Sequence, residues 1–232
     1  MTNHVDKVSA REMVSQRLRQ FRQALKSYRE TYKMNCRFFL DINAPLVPEE
    51  ALHGAKVFPN REALLWKVAA VSRMPIIAEV GTDRGDWAEF LLDTLNPTLL
   101  HLFDIDFTKV RENLLKSPQV VFHQGDSSSN LGKLPSESFD LIYIDGDHSY
   151  SGVAKDIEMA VEKLQQKGCL IFNDYTLWSP TSAIAYGVVR AVNELLLTEW
   201  HMTGIALTPN GYWDVMCQRQ GESVWSALRN GN

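Results

Sequence analysis

Cysteine is scarce in this sequence, and the few cysteines show no metal-binding spacing. Cys36, Cys169 and Cys217 are odd in number and far apart, and no Cys-x-x-Cys pair occurs. This pattern argues against a disulfide framework and against a structural zinc site, and it favours a reducing compartment. We therefore expect a cytoplasmic protein.

Long apolar runs and an excess of positive charge are also absent. No window approaches the ~18 uninterrupted apolar residues of a membrane span, and the opening MTNHVDKVSARE has no apolar stretch typical of a secretory signal. The 24 Lys and Arg residues stand against 28 Asp and Glu, which gives a net charge of -4. Since phosphate neutralisation drives nucleic-acid binding, we expect no nucleic acid and no membrane as partners, but a small-molecule substrate.

The first 60 residues are predicted to form a helical extension and lid before a main domain at 61–232. Apolar residues at alternating steps of three and four predict a helix over 7–34, and three prolines predict an irregular connection over 35–60. The ~3.5-residue spacing of the apolar stripe suits helix-on-helix packing and predicts a homodimer through this helix. Packing of the stripe on its own domain is the alternative. The stripe consists of Val14, Leu18, Phe21, Leu25, Tyr28 and Tyr32.

After Pro75 the sequence alternates between short apolar runs and helical segments, which is the pattern of a parallel sheet covered on both faces. Two further strands, at 201–207 and 211–219, flank the turn signal at 208–211 and predict a closing antiparallel hairpin. We therefore predict an α/β, doubly wound and mostly parallel seven-stranded sheet. The predicted strands before the hairpin are 76–80, 99–103, 120–124, 139–144 and 169–173, and the predicted helices are 61–72, 86–95, 107–116, 152–167 and 184–198.

Polar residues follow the first three strands, where ligands of open α/β sheets bind. Gly81 and Gly85 permit a tight turn close to a ligand after the first strand. Asp104 follows the second strand and can accept hydrogen bonds from ribose hydroxyls. Asp126 and Ser127 follow the third strand and can hold the exocyclic amine of an adenine. Asp and Ser are also ordinary capping residues of helices and turns. The prediction of a ligand site therefore depends on polar turns that follow three successive strands.

At these turns the sequence resembles the class I S-adenosylmethionine-dependent methyltransferases. The stretch from Glu79 to Gly85 is similar to their glycine motif, although Asp83 stands where a further glycine is common. The resemblance implies a Rossmann-like fold and S-adenosylmethionine as cofactor. The cofactor-binding residues it implies are Glu79, Gly81, Thr82, Gly85, Asp104, Ile105, Gly125, Asp126, Ser127 and Asp145.

The segments 144–150 and 172–178 resemble small-molecule O-methyltransferases of the macrocin and caffeoyl-coenzyme A types. That resemblance implies a divalent cation, magnesium by preference, held by Asp145, Asn173 and Asp174. Such an ion lowers the pKa of a bound hydroxyl. Asp145 is then a catalytic residue, and His148 is an alternative general base because its ordinary pKa of ~6.5 suits proton removal near neutrality. The alternative is that these acids only cap turns in a metal-free enzyme.

We expect O-methylation of a hydroxyl on a sugar, phenol or natural product. Two alternatives stay open: a metal-independent N-methyltransferase, and a nucleoside-binding regulatory protein without catalysis. A dehydrogenase is disfavoured because no Gly-x-Gly-x-x-Gly fingerprint is present. Tyr175, Trp178 and Trp213 are candidates for lining the acceptor pocket.

Overall fold

In a computed structural model of the chain, an eight-stranded sheet occupies the centre of the protein. The structure describes residues 5–34, 42–179, 181–182 and 184–225. The strands follow the spatial order β1-β9-β10-β6-β5-β2-β3-β4, and β10 alone among them runs antiparallel to its neighbours. The strands are β1 Lys56–Phe58, β2 Ile76–Val80, β3 Leu99–Asp104, β4 Val120–Gln124, β5 Phe139–Ile144, β6 Leu164–Phe172, β9 Trp200–Ala206 and β10 Asp214–Arg219.

The predicted α/β class, the mostly parallel sheet and the closing hairpin are confirmed, but the sheet has eight strands instead of seven. The additional strand, β1, lies in the segment predicted to be irregular and pairs in parallel with β9 at the sheet edge. Its three residues are too few to show the alternation that identifies a strand in sequence. The short helix α2, Glu49–Leu52, precedes it and buries Ala51 in the core. The division of the chain at residue 60 stays a prediction.

Helices cover both faces of the sheet. The helices after β1 are α3 Arg61–Val71, α4 Asp86–Leu95, α5 Glu112–Lys116, α6 Ser127–Gly132, α7 Tyr150–Lys163 and α8 Val188–Leu195, and α1, Val5–Met34, precedes the sheet in the chain. Side-chain caps start several of them: the side-chain oxygen of Asn60 accepts a hydrogen bond from the backbone of Ala63 at 2.8 Å, and Ser149 caps α7 in the same way. The helix predicted over 184–198 begins only at Val188, because residues 184–185 form strand β8, which pairs with β7, Trp178–Ser179.

Two apolar layers hold the helices on the sheet. Alternation along β5 places Phe139 and Ile142 in one layer and Leu141 and Tyr143 in the other, as side chains of a strand point to opposite faces. The first layer packs against α7 and α8, and the second against α3 and α4. The sheet is therefore buried on both sides, and its carboxyl edge is left for ligands.

Helix α1 agrees with the predicted helix over 7–34, and three side chains of its apolar stripe are solvent-exposed, whereas Leu25 is half-buried. Val14, Leu18 and Phe21 are 57%, 50% and 61% exposed. The side chains of Tyr28 and Tyr32 lie outside the described residues. Packing of Val14, Leu18 and Phe21 on their own domain is thus not observed, and the dimer stays a prediction. No helix in the described part of the chain is both long and apolar enough to span a membrane.

Candidate active site

The loop after β2 is folded around two glycines with left-handed backbone. Gly81 has φ +87°, and a Cβ built on it would lie 2.0 Å from the backbone oxygen of Asp145. Gly85 has φ +82° and precedes the first residue of α4. Both glycines thus permit close packing of the loop against its neighbours. Gly85 turns the chain into the helix but does not line the cleft described below.

Asp104, the last residue of β3, fastens this loop. Its Oδ2 accepts hydrogen bonds from the backbone N–H groups of Thr82 at 2.8 Å and Asp83 at 2.9 Å. Its Oδ1 accepts one from Asp106 at 3.0 Å. The carboxylate also lines the cleft. Each oxygen of a carboxylate can accept more than one bond, so the predicted ribose contact is compatible with this role.

The residues after β4 shape the far end of the cleft. Asp126 caps α6, since its carboxylate accepts hydrogen bonds from the backbone of Ser129 at 2.8 Å and the hydroxyl of Ser128 at 2.9 Å. Ser127 donates to the buried carboxylate of Asp156 on α7 at 2.5 Å. Burial raises the pKa of Asp156 to about 6. Asp126, which the sequence predicts to contact adenine, thus also caps α6. Asp156 is a second acid at this end of the cleft.

These turns line one cleft of about 740 Å³ at the carboxyl edge of the sheet. The cleft lies where strand order reverses, between β2 and β5. Asp145, directly after β5, completes the wall, and Ile105 is 77% exposed beside it. The predicted cofactor residues that line the cleft are Glu79, Gly81, Thr82, Asp104, Ile105, Gly125, Asp126, Ser127 and Asp145.

Glu79 is the buried acid of the cleft. Its side chain is 1% exposed. Burial, and to a smaller extent repulsion from Asp145, raises the pKa of Glu79 well above the ordinary value. Its Oε2 has no hydrogen-bond partner within the described part of the chain. A buried carboxylate of this kind is suited to a cationic group of a ligand, because a positive charge would favour its ionised form.

A second cavity of about 690 Å³ lies beside the cleft, and Arg61 lines both. Its wall is polar, with Asn173 and Asp174 from the end of β6 and the rings of Tyr186 and Tyr212. Tyr175, Trp178 and Trp213, the aromatic residues suggested by sequence, are not among the described residues that line it. The hydroxyl of Tyr175 instead donates to Asn193 at 2.5 Å.

His148 lies between acids of the two cavities. Its Nε2 is 3.4 Å from Oδ1 of Asp145, which lines the cleft, and 3.6 Å from Oδ2 of Asp174, which lines the second cavity. The imidazole stacks on Tyr186 with ring centroids 4.4 Å apart. Burial opposes protonation of the imidazole, but the two carboxylates outweigh it and raise the pKa of His148. Burial also raises the pKa of Asp174 to about 6.

A buried polar network supports this cluster from below. The Tyr143 hydroxyl donates to Asp214 at 2.5 Å, and the Asn173 amide nitrogen donates to Asp214 at 3.2 Å and to Tyr143 at 3.3 Å. Burial raises the pKa of Asp214 to about 7. Asn173 is therefore fixed by hydrogen bonds below the cluster.

The residues expected to hold a divalent cation do not fit one as they lie. Asp145 and Asp174 face the imidazole of His148, so a side chain of the protein lies between the carboxylates that would share an ion. The amide nitrogen of Asn173 donates to Asp214, which fixes the orientation of this side chain. Among the described residues, no group of three or more His, Cys, Asp or Glu side chains is arranged to hold a metal ion. The cation expected from the resemblance is thus not supported.

Comparison with known families adds an independent finding. Residues 78–175, from β2 to just beyond β6, match the model of a methyltransferase domain family, Methyltransf_24. This central part of the chain is therefore similar to a methyltransferase domain, in agreement with the resemblance seen in the sequence. The matched span contains the glycine loop, Asp104, His148 and Asp174. A comparison with curated proteins found no match.

Solved structures similar to this chain show the same fold. The O-methyltransferase TomG of Streptomyces achromogenes, in complex with S-adenosylmethionine, is 17% identical with TM-score 0.56, over 69% of this chain and 80% of that one. An O-methyltransferase structure from Klebsiella pneumoniae is 19% identical with TM-score 0.53, over 68% and 77%. The methyltransferase PaMTH1 of Podospora anserina, bound to S-adenosylhomocysteine, is 14% identical with TM-score 0.56, over 69% and 78%.

Sequence reasoning missed several residues of the candidate site. Arg61 follows a helix cap and looks like an ordinary first-turn residue. Asp156 and Asp214 occur within a helix and a strand, without a motif around them. Tyr186 lies in the segment assigned to a helix. Only Asp214 could have been found from the sequence, because a charged residue at the start of an apolar strand is unusual.

Proposed function

We propose that the protein transfers the methyl group of S-adenosylmethionine to a hydroxyl of a small molecule. The observation that carries this proposal is the position of Asp145, His148 and Asp174 at the junction of the cleft and the second cavity. A cofactor in the cleft would direct its methyl group toward an acceptor in the cavity. O-methylation needs a proton acceptor near the attacking oxygen, and this cluster supplies one.

In the proposed reaction, the acceptor hydroxyl faces Asp174. The O–H bond breaks, and the proton passes to the Asp174 carboxylate, whose pKa of about 6 suits a base near neutrality. The oxygen forms a bond to the methyl carbon, and the electron pair of the breaking carbon–sulfur bond stays on sulfur. Within the cluster, the proton taken from the acceptor is shared among Asp174, His148 and Asp145. The remaining rate enhancement comes from alignment of oxygen, carbon and sulfur.

We propose that this transfer requires no resident metal ion, since the imidazole of His148 already lies between the two carboxylates. Asn173 then serves to position the site through Asp214. Transfer without a metal ion is also compatible with the alternative of N-methylation. In that reaction the same cluster would keep the acceptor amine neutral. The acceptor cavity has the polar wall that a small hydroxylated molecule requires.

The test is methyl transfer from labelled S-adenosylmethionine to matched panels of hydroxyl and amine acceptors, with and without EDTA. We expect product from hydroxyl acceptors in both conditions. Turnover abolished by EDTA and restored by magnesium would refute the metal-free mechanism, and product from amines alone would refute O-methylation. Failure of both panels with intact cofactor binding would favour the non-catalytic binding protein.

Variants of the cluster test the proton acceptor. Asp174 has φ +53°, a backbone conformation that Asn tolerates, so Asp174→Asn removes the charge at the least backbone cost. We expect this variant and His148→Gln to lower kcat by about 10²- to 10⁴-fold while S-adenosylhomocysteine still binds. Asp93→Asn, an exposed residue of α4, is the matched control and should leave kcat unchanged.

The pH profile adds a second readout. In the wild type the rate should fall in acid, as the cluster takes up a proton with an apparent pKa near or above 6. In the Asp174→Asn variant this acid limb should shift. A profile that is identical in the two proteins would exclude Asp174 as the base.

A further inference from the structure

Helix α1 exposes three successive residues of its apolar stripe. Val14, Leu18 and Phe21 are 57%, 50% and 61% exposed, whereas Leu25 is half-buried. A helix in a protein gains most of its stability from packing of its apolar face, and these three residues do not pack on their own chain. A contiguous apolar surface with a polar rim marks a site of interaction with another molecule.

Arginines border this stripe on both sides. Arg17 lies one helical turn before Phe21, and Arg22 lies one turn after Leu18. Both arginine side chains are exposed, and within the described part of the chain neither forms an ion pair. Helix α1 contains eight Lys and Arg residues and three Asp and Glu residues, although the whole chain has 24 and 28. The helix is therefore a basic segment of an acidic protein.

Two α1 helices paired along their stripes would bring like charges together. The stripe repeats at steps of four and three, so Arg17 and Arg22 occupy the flanking positions that face a partner helix in a coiled coil. In a parallel pair, Arg17 of one helix would face Arg22 of the other. The other flanking positions over 14–25 are Ser15 and Ala24, which supply no negative charge. The stripe is thus better matched to a surface that combines apolar residues with acids.

A surface of that kind lies at the β1 edge of the sheet. Strand β1 pairs with β9, and among the described residues its outer side has no neighbouring strand. Helix α2 packs beside β9 as well. Proteins normally cover such an edge, because an uncovered edge strand can pair with other chains. Exposed apolar residues and exposed acids occur together here, and we call the five residues the edge surface: Leu46, Glu49, Glu50, Leu52 and Val57.

The edge surface is unpartnered in the same way as the stripe. Leu46, Val57 and Leu52 are 92%, 65% and 41% exposed. Neither Glu49 nor Glu50 forms an ion pair within the part of the chain that the structure describes. Apolar residues and charges of opposite sign are therefore present on the two surfaces.

We propose that α1 of one copy of this chain covers the edge surface of a second copy. The apolar stripe then packs on Leu52 and Val57. The flanking arginines face Glu49 and Glu50 at the rim, where opposite charges fix the orientation and speed association. Each copy donates one helix and receives one, so a two-fold dimer satisfies both surfaces. This dimer does not depend on the proposed methyl transfer.

Charge reversal on either surface tests the dimer by light scattering on the full chain. Arg17→Glu/Arg22→Glu and Glu49→Lys/Glu50→Lys each place like charges across both contacts. Each variant alone should be monomeric, with the dissociation constant of the dimer raised at least about 100-fold. An equal mixture of the two variants should form a heterodimer, because each contact then joins opposite charges again.

The matched control is Asp93→Lys/Glu158→Lys, which reverses two exposed acids on α4 and α7 and should stay dimeric. A dimeric Glu49→Lys/Glu50→Lys variant would overturn the assignment, since pairing of two α1 helices leaves the edge surface unused. Two variants that remain monomeric when mixed would overturn it too. If the variants failed to fold, added salt should still dissociate the wild-type dimer, and a wild-type monomer or a dimer insensitive to salt would refute the proposal.

Discussion

Substitution of Gly81 by alanine separates the two demands on the glycine loop, backbone conformation and space. A Cβ at this position would lie 2.0 Å from the Asp145 oxygen, whereas Cβ contacts shorter than 3.0 Å essentially do not occur. The loop or the end of β5 must therefore move by about 1 Å. Gly54 is the matched control, since its φ of +84° is almost that of Gly81 and a Cβ there meets nothing within 4 Å.

The magnitudes follow from these contacts. Left-handed backbone costs an alanine about 1–2 kcal/mol at either position. At Gly81 the forced movement also strains the bonds from the Gly81 N–H to the Phe103 oxygen, 2.8 Å, and from the Asp145 N–H to the Val80 oxygen, 2.7 Å. At about 0.5–1.5 kcal/mol each, their loss makes Gly81→Ala about 1–3 kcal/mol less stable than Gly54→Ala. The entropy gained from replacing glycine is common to both variants and cancels.

Two measurements check this prediction. Thermal unfolding should place Gly81→Ala below Gly54→Ala by roughly 2–4 °C for each kcal/mol. Calorimetry should detect S-adenosylhomocysteine binding to Gly54→Ala at wild-type affinity and none to Gly81→Ala. If the two variants melt together and both bind the ligand normally, then the close approach of Gly81 to Asp145 does not constrain the site.

Three further predictions concern the cleft, the buried network and helix α1. Asp104→Ala should weaken S-adenosylmethionine binding by about 1.5–3 kcal/mol, since it removes the acceptor for the Thr82 and Asp83 N–H groups and for the proposed ribose contact. Asp106→Ala should bind normally, and equal affinities of the two variants by calorimetry would refute this prediction. The raised pKa of Asp214, about 7, means that the folded state favours its protonated form. The difference in unfolding free energy between the wild type and Asp214→Asn, measured by urea denaturation, should therefore be highest at pH 4 and below and should fall by a few kcal/mol as the pH rises to about 7. A difference that does not change with pH would contradict burial as the cause of the raised pKa. Light scattering should find a dimer for the full chain and a monomer for Leu18→Glu/Phe21→Glu, whose changes lie on the exposed stripe, and a wild-type monomer would refute the dimer.

The sequence by itself determined the fold class and most of the cofactor cleft. Buried parallel strands read as continuous apolar runs, and β2 to β6 show such runs with turns at their ends. Because the carboxyl ends of parallel strands share one edge, Gly81, Asp104 and Asp145 had to converge once those strands were recognised. Strand β1 escaped detection because three residues carry no periodic signal.

Only the tertiary structure decided which chemistry each of these residues is free to perform. Asp126 was read as a ligand residue, and the structure adds its cap on α6. Asp145 and Asp174 resemble a metal-binding motif in the sequence, but in the structure both carboxylates face the imidazole of His148. The spacing of these residues along the chain does not reveal this contact. Arg61 reaches the cleft from a helix that precedes the sheet's first long strand. Such contacts depend on packing between distant segments, and local pattern carries no information about them.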